Sequence, residues 1–180
     1  CTPKSPDCEN CPLKKQCRAY DLGLTESLPN RGESTKKMEI KVVAAILIKK
    51  PNHAPKLIFI QKRPQQGLMG GLWEFPGGKV KAKESLKNAL HREIREELGI
   101  KISNIRSFLH LKHSYTKYNV DFHTFLVDYT GGKIQQKTAI DHKWVPVSNL
   151  SKFPFPAANV KVIKALVSSA VEPVLSPKGK

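Results

Sequence analysis

The sequence has few acidic residues, few aromatic residues and no long apolar segment. Asp and Glu number 15 against 31 Lys and Arg, which leaves a formal net charge of +16. Such an excess of positive charge favours a polyanionic partner, for which nucleic acid is the first candidate. No apolar run approaches the roughly 20 residues of a membrane span, and no charged-then-apolar leader opens the chain. We therefore expect a cytoplasmic protein with no membrane partner.

Cysteine is absent after Cys17, which excludes a core held together by disulfides. The four cysteines Cys1, Cys8, Cys11 and Cys17 follow the spacing C-x6-C-x2-C-x5-C. Four thiolates can enclose a zinc ion or an iron-sulfur cluster. Zinc sites usually pair two short cysteine knuckles, and only Cys8 and Cys11 form one here, so the spacing favours an iron-sulfur cluster. Four reduced thiols without metal are the alternative.

The chain is long enough for one domain-sized core with a small appendage. It begins with Cys1 rather than Met, and we interpret it as a piece of a longer protein. The composition predicts four parts, namely a cysteine loop at 1–18, a connector at 19–36, a folded domain at 37–171 and a flexible tail at 172–180.

The hydrophobic pattern of the folded domain predicts a mixture of strands and helices, which is the α+β class. Two β-branched runs separated by a turn, at 42–48 and 57–60, predict a hairpin. Apolar residues recur at helical spacing at 85–98, where Gly99 would end the helix, and again at 157–169. Further strands are predicted at 102–111, 118–129 and 143–147.

The predicted helix at 85–98 carries a dense acidic motif. The pattern G-x5-E-x7-R-E-U-x-E-E-x-G-U, where U is a bulky apolar residue, is the signature of Nudix proteins. Every fixed position of that pattern is matched, by Gly78, Glu84, Arg92, Glu93, Ile94, Glu96, Glu97, Gly99 and Ile100.

Three carboxylates, Glu93, Glu96 and Glu97, would converge on the last turns of this helix. Like charges so close repel one another unless a cation lies between them. Mg²⁺ suits such a group because it is held by a few carboxylates and phosphate oxygens, and it can activate water against a diphosphate. Arg92 would orient one glutamate through a two-pronged hydrogen bond. An acidic helix edge balanced by nearby lysines is the alternative.

The cysteine loop together with the Nudix motif resembles the C-terminal part of the adenine DNA glycosylases of the MutY type. The resemblance implies a 4Fe-4S cluster on the four cysteines and a Nudix fold, with a mixed β-sheet between helices, that recognises 8-oxoguanine. The expected partner is duplex DNA with an 8-oxoguanine:adenine mispair, bound by a monomer in base-excision repair at the nucleoid. The glycosylase catalytic residues would precede Cys1. The intact motif departs from this family, whose Nudix box is usually decayed.

Four further residues take their expected roles from resemblances. Tyr115, Thr116 and Lys117 occupy the place of the hairpin with which these glycosylases probe 8-oxoguanine, as a stacking wedge, a hydrogen-bonding partner and a phosphate contact. Asn159 is similar to the asparagine with which MutT-type hydrolases read the oxidised purine edge. The alternatives are that Tyr115 caps the sheet and that Asn159 is exposed at a helix start.

The alternative function is a Mg²⁺-dependent Nudix hydrolase of oxidised nucleotides, resembling the MutT-type enzymes that destroy 8-oxo-dGTP. Its substrate would be a nucleoside triphosphate, and Arg92, Glu93, Glu96 and Glu97 would be its catalytic residues. The stretches at 61–64 and 70–78 resemble both families and do not separate them. We favour the glycosylase because that resemblance also includes the cysteine loop.

Overall fold

A computed structural model describes residues 5–28, 36–52 and 55–171 of the chain. Contacts group the chain into two units, Cys1–Lys36 and Lys37–Lys180. Cys1, a predicted cluster ligand, and the predicted tail at 172–180 lie outside the described residues. Within the described ranges, none of the helices combines the length and the apolar character needed to cross a membrane.

The described part of the N-terminal unit contains a small polar cluster around Glu9. It contains a 3-10 turn, Lys14–Gln16, and the short helix α1, Arg18–Asp21. Glu9 accepts hydrogen bonds from Lys14 at 2.6 Å and from the Tyr20 hydroxyl at 3.1 Å. The Lys14 ammonium also lies 4.8 Å from the centre of the Tyr20 ring. These groups face water, so the cluster contributes little to stability.

Seven strands of the second unit form one mixed sheet. In chain order they are β1 (Met38–Lys49), β2 (Leu57–Lys62), β3 (Trp73–Glu74), β4 (Gly77–Lys79), β5 (Ser103–Ser114), β6 (Tyr118–Asp128) and β7 (Asp141–Pro146). The main order is β3-β2-β1-β6-β5, with β4 also paired to β1 and β7 to β2. The β1–β6 pair is parallel and the other pairs are antiparallel.

Strand β1 is buried on both faces, which explains its continuous apolar run. Successive side chains of a strand point to opposite faces. Val43, Ala45 and Leu47 therefore join one core cluster. Ala44, Ile46 and Ile48 join the other. Its end pairs with β2, where Ile48 lies opposite Ile58, so the predicted hairpin is confirmed.

Two long helices cover the two faces of the sheet. Helix α2, Leu86–Leu98, begins at Ser85, whose hydroxyl accepts a hydrogen bond from the Asn88 backbone N–H. It ends at Gly99, which has a left-handed φ of 68°. Helix α3, Ala157–Val171, packs on the opposite face. The predicted α+β architecture, a mixed sheet between helices, is confirmed.

The two-sided burial of β1 yields a stability prediction. Ile46 is fully buried, whereas Ile140 is 53% exposed, so truncating each to alanine removes the same atoms from opposite environments. We expect Ile46→Ala to lower the free energy of unfolding by roughly 2–5 kcal/mol, because it leaves a cavity. Ile140→Ala should change it by no more than about 0.5 kcal/mol. Urea unfolding followed by circular dichroism measures both, and equal losses would contradict the described core.

Candidate functional site

The glutamates of the acidic motif lie where helix α2 meets the sheet. Leu90 and Ile94 are buried against the sheet, and Glu93 and Glu97 continue the same helical stripe toward the helix end. The Glu93 side chain is only 14% exposed, while that of Glu96, three residues further along the helix, is 54% exposed. The packing of α2 therefore places the carboxylates of one motif in different environments.

Arg92 connects three of the glutamates. Its Nε and Nη2 donate to the two oxygens of Glu84 at 2.9 and 2.8 Å, so the predicted two-pronged bond is present, with Glu84 as its acceptor. Its Nη1 donates to Glu93 at 2.7 Å and to Glu96 at 3.2 Å. Arg92 and the Lys81 backbone N–H lower the pKa of Glu84 to about 2. Glu84 is therefore ionised and serves to hold the guanidinium in place.

Two glycines of β4 allow these carboxylates to approach the sheet. A Cβ atom on Gly78 would lie 2.5 Å from the Glu93 carboxyl carbon. Gly77 has a φ of 149°, and a Cβ there would lie 2.1 Å from the Val43 carbonyl oxygen. The Gly77 backbone N–H donates to Glu97 Oε2 at 3.0 Å. Only glycine at these two positions permits the observed contact between β4, β1 and the helix.

Among the described residues, Glu97 is the carboxyl group whose pKa is raised the most. Burial raises its pKa to about 7, although hydrogen bonds from Gln61 and from Gly77 act in the opposite direction. The neighbouring carboxylate of Glu74 raises this pKa further. A carboxylate with a pKa near neutrality can exchange a proton with a substrate or a water molecule.

Gln61 and Glu74 act directly on Glu97 and Arg63 pairs with Glu74, but none of the three was predicted as a site residue from the sequence. Gln61 is 1% exposed and donates through Nε2 to Glu97 Oε2 at 2.9 Å. Glu74 is paired with Arg63 Nη1 at 2.7 Å, yet burial raises the pKa of its carboxyl group. Gln61 directly follows the apolar run of β2 and begins the stretch 61–64 that resembles both families, and these were the signals in the sequence that could have drawn attention to it.

The predicted three-carboxylate group is only partly assembled. Arg92 lies between Glu93 and Glu96 and offsets their repulsion, whereas Glu97 is bonded to Gln61 and Gly77. Among the described residues these acids do not form a group of three ligand atoms within 4.8 Å. The donor set still suits Mg²⁺, because it consists of carboxylate oxygens, including those of the buried Glu97. Glu93, Glu96 and Glu97 are the residues that would hold the ion.

A cleft of about 200 Å³ adjoins this acidic end of α2. It is lined by β1, by Gly77 and Gly78 of β4, by the β5–β6 hairpin and by the start of α3. Asn159 lies in its wall, is 8% exposed, and its Oδ1 has no hydrogen-bond partner in the described part of the chain. The alternative of an exposed Asn159 is therefore wrong. The cleft offers a buried, unpaired acceptor to a ligand.

The predicted hairpin residues separate into one that lines the cleft and two that do not. Tyr115 lines the cleft, packs against the core, and accepts a hydrogen bond through its hydroxyl from the Ala158 backbone N–H at 3.2 Å. It is thus joined to α3 next to Asn159 rather than projecting as a wedge. Thr116 and Lys117 are exposed at the hairpin tip and do not line the cleft.

Comparisons with known proteins agree with this geometry. A model of the NUDIX domain matches residues 43–165. An 8-oxo-dGTP diphosphatase of Buchnera aphidicola subsp. Schizaphis graminum is 38% identical over 125 residues, which are 69% of this chain and 91% of that protein. A solved MutT structure, from a study of the Aliivibrio salmonicida and Vibrio cholerae proteins, is 34% identical, with a TM-score of 0.62 over 73% of this chain and 98% of that one. The Nudix fold is thereby confirmed.

The same comparisons correct the main prediction of function. An adenine DNA glycosylase of Arabidopsis thaliana is 30% identical over 90% of this chain, but the match spans only 30% of that protein. The 8-oxo-dGTP diphosphatases match over most of their own length. The prediction of an adenine DNA glycosylase fragment is therefore wrong, and the comparisons do not support the predicted mispaired DNA partner or nucleoid location.

The predicted 4Fe-4S cluster is also unsupported. Cys8, Cys11 and Cys17 are free and half-buried, and no three cysteine ligand atoms of the described residues lie within 4.8 Å of one another. The fourth predicted ligand, Cys1, lies outside the described part of the chain. The NUDIX match begins after the last cysteine, so the spacing of the thiols had no support from the family that the chain matches.

The raised pKa of Glu97 predicts a pH-dependent stability. Between its ordinary value of 4.5 and about 7, the folded protein binds more protons at this carboxyl group than the unfolded chain does. The free energy of unfolding should therefore fall as the pH rises through this window. Glu97→Gln keeps an acceptor for Gln61 and Gly77 and should remove this loss of stability. At pH 8 its free energy of unfolding should exceed that of the parent protein by up to roughly 3 kcal/mol.

Urea unfolding at pH 5 and pH 8 in metal-free buffer measures this difference. The matched control is Glu96→Gln, since that side chain is 54% exposed and should change the stability little at either pH. A Glu97→Gln variant that is less stable than the parent at pH 8 would show that the buried carboxylate is fully compensated by its hydrogen bonds.

Proposed function

The chain is a hydrolase of the NUDIX family, and we propose that it cleaves an oxidised purine nucleoside triphosphate such as 8-oxo-dGTP in a Mg²⁺-dependent reaction. The products would be the nucleoside monophosphate and pyrophosphate. The observation that carries this proposal is the unpaired Oδ1 of Asn159 in a cleft that Gly77 and Gly78 of the acidic site also line. The similarity to 8-oxo-dGTP diphosphatases supports the same substrate class.

The chemistry of the purine edge explains why an unpaired acceptor favours an oxidised base. In guanine N7 is a hydrogen-bond acceptor, which would face Asn159 Oδ1 without a proton between them. Oxidation at C8 places a hydrogen on N7 and makes it a donor. Leaving a buried acceptor unpaired costs on the order of 1–3 kcal/mol, so Asn159 would disfavour the unoxidised base.

Tyr115 serves this proposal as a positioning residue. Its hydroxyl accepts the hydrogen bond of the Ala158 backbone N–H, so it holds the first turn of α3 directly before Asn159. Its aromatic ring belongs to the wall of the cleft, where a flat base would pack. The oxidised base is thus expected between Tyr115 and the residues of β1 and β4 that line the same cleft.

The acidic end of α2 would act on the phosphates. When Mg²⁺ is bound there, it supplies charge neutralisation on phosphate oxygens and lowers the pKa of a coordinated water. Glu93, Glu96 and Glu97 would hold the ion. Arg92 keeps Glu93 oriented through its 2.7 Å contact, itself fixed by the bidentate bond to Glu84.

Glu97 is the group that we assign to proton transfer. In the metal-free protein its pKa is about 7. A nearby Mg²⁺ would lower this pKa and favour the ionised form that accepts the proton of the attacking water. The water oxygen then forms a bond to phosphorus as the bond to the pyrophosphate oxygen breaks, and the leaving group carries away that electron pair. Gln61 fixes the Glu97 carboxylate during this transfer by its 2.9 Å hydrogen bond.

An activity assay tests the reaction class. We expect the chain with Mg²⁺ and 8-oxo-dGTP to release pyrophosphate and 8-oxo-dGMP, and Glu97→Gln to lower kcat by about 10²–10⁴-fold. Glu26→Gln, in the N-terminal unit, is the matched control and should keep the parent rate. Release of orthophosphate instead of pyrophosphate, or a Glu97→Gln variant with full activity, would contradict the proposed chemistry.

A second assay tests the base specificity separately. Asn159→Ala should lower the ratio of kcat/KM for 8-oxo-dGTP to that for dGTP by the equivalent of about 1–3 kcal/mol, because the buried acceptor is gone. Asn88→Ala removes an exposed asparagine side chain on α2 and should leave the ratio unchanged. If Asn159→Ala leaves this ratio unchanged, or a pyrimidine triphosphate is the better substrate, the base assignment is wrong while the hydrolase assignment stands.

A further inference from the structure

Three potential metal ligands meet on strands β5 and β6, outside the cleft and outside the acidic motif. The ligand atoms of His110, Asp121 and His123 all lie within 4.8 Å of one another. His110 Nε2 is 2.6 Å from Asp121 Oδ1, and His123 Nε2 is 3.2 Å from Asp121 Oδ2. None of the three lines the cleft that contains Asn159. Within the described residues this is the one such group of three or more His, Cys, Asp or Glu side chains.

The strand register produces this meeting. His110 and His123 are directly opposite one another in the antiparallel β5–β6 pair. Asp121 precedes His123 by two residues on β6, so the two side chains share one face of the sheet. Directly opposed side chains have Cβ atoms about 4.5–5.5 Å apart, close enough to bind one ion. The three side chains are therefore held by backbone pairing rather than by flexible loops.

The nitrogen atoms of this cluster are incompletely satisfied. His123 Nε2 is buried and makes no hydrogen bond of good geometry in the described structure, although it faces Asp121. The His110 and His123 rings are stacked, with centroids 4.2 Å apart and planes inclined by 4°. Lys41 Nζ approaches Asp121 Oδ2 only to 3.8 Å and its side chain is half exposed, so it interacts weakly with this cluster. A buried ring nitrogen that makes no well-aligned hydrogen bond is unusual in a folded protein.

We propose that His110, Asp121 and His123 form a binding site for a divalent transition-metal ion of the Zn²⁺ class. Two imidazole nitrogens and one carboxylate oxygen are the ligands that Zn²⁺, Co²⁺ and Ni²⁺ prefer, whereas Mg²⁺ prefers oxygen ligands alone. Three protein ligands leave one tetrahedral position for water or an anion. The site would therefore be distinct in both place and metal preference from the glutamates of α2.

The distances are compatible with this assignment. Ligand atoms at about 2.0–2.1 Å from a tetrahedral zinc ion lie roughly 3.3 Å from each other. The separation of 3.2 Å between His123 Nε2 and Asp121 Oδ2 is close to this value. The 2.6 Å contact of His110 Nε2 with Asp121 Oδ1 is a hydrogen bond, which a bound ion would replace. Rotation of the imidazole rings would direct both Nε2 lone pairs at one ion, and the exposed side chain of His110, at 52%, has room for that rotation.

A bound ion would link the two strands at a defined place in the sheet. His123 is in register with Val43 of β1, and Val43 is in register with Gly78 of β4. With neighbouring strands about 4.8 Å apart, His123 lies roughly 10 Å across the sheet from Gly78. Metal binding should thus stabilise the β5–β6 pair without any direct contact with the carboxylates that face Gly78.

Titration of the full chain with Zn²⁺ and Co²⁺ tests the proposal. All four cysteines are first replaced by serine so that thiolates do not bind the metal, and excess Mg²⁺ is present to occupy the glutamates. We expect one saturable equivalent of Zn²⁺ by calorimetry, a rise in the melting temperature, and a Co²⁺ visible spectrum without thiolate charge-transfer bands. His123→Ala, His110→Ala and Asp121→Asn should each weaken this binding by more than about tenfold.

His113→Ala is the matched control, because His113 belongs to the same strand but not to the cluster, and it should retain the full equivalent. Melting curves in EDTA show whether each variant is folded. If an alanine variant does not fold, Asp121→Asn, which keeps the side-chain shape, tests the site in its place. Absence of saturable binding in the cysteine-free chain would overturn the proposal. So would binding that persists unchanged in folded His123→Ala and Asp121→Asn variants.

Discussion

The burial of strand β1 on both faces is the constraint on which the rest of the structure depends. Because β1 pairs with β2, β4 and β6, it carries the apolar contacts of both covering helices as well as the registers of three neighbours. Its carbonyl at Val43 leaves room only for a glycine at position 77. The packing of one strand thus decides how closely the acidic helix approaches the sheet, and hence the environment of Glu93 and Glu97.

That approach divides the acids of one motif into two electrostatic classes. Glu84 is bonded to the guanidinium of Arg92, which keeps its pKa near 2 and makes it a fixed anion. Glu97 is buried beside neutral donors and another carboxylate, and its pKa is raised to about 7. Carboxyl groups whose pKa values are driven apart in this way can divide the work of holding a cation and moving a proton. The same motif therefore supports both roles.

The error in the predicted identity has a physical explanation. The Gly-rich stretch at 70–78 resembles both families, so it could not separate a hydrolase from a recognition domain. The intact acidic motif was the feature that departed from the glycosylases. The four cysteines lie before the matched domain, and ligand spacing alone does not show that a cluster forms. Tyr115 likewise follows a strand as a probing wedge would, but its hydroxyl is occupied by α3.

Local spacing was enough to predict the acidic helix, the hairpin of β1 with β2 and the class of the fold, because each depends on residues a few positions apart. The two-pronged bond of Arg92 to a glutamate was predictable in the same way. The burial of Asn159, the hydrogen bond of Gln61 to Glu97 and the meeting of His110 with His123 depend instead on residues brought together by strand register and helix docking. Each requires positions distant in the chain to be adjacent in space, and one residue of register shift would turn the side chains of a strand to the opposite face. For this reason only the tertiary structure decided which polar groups share the cleft and which share the β5–β6 site.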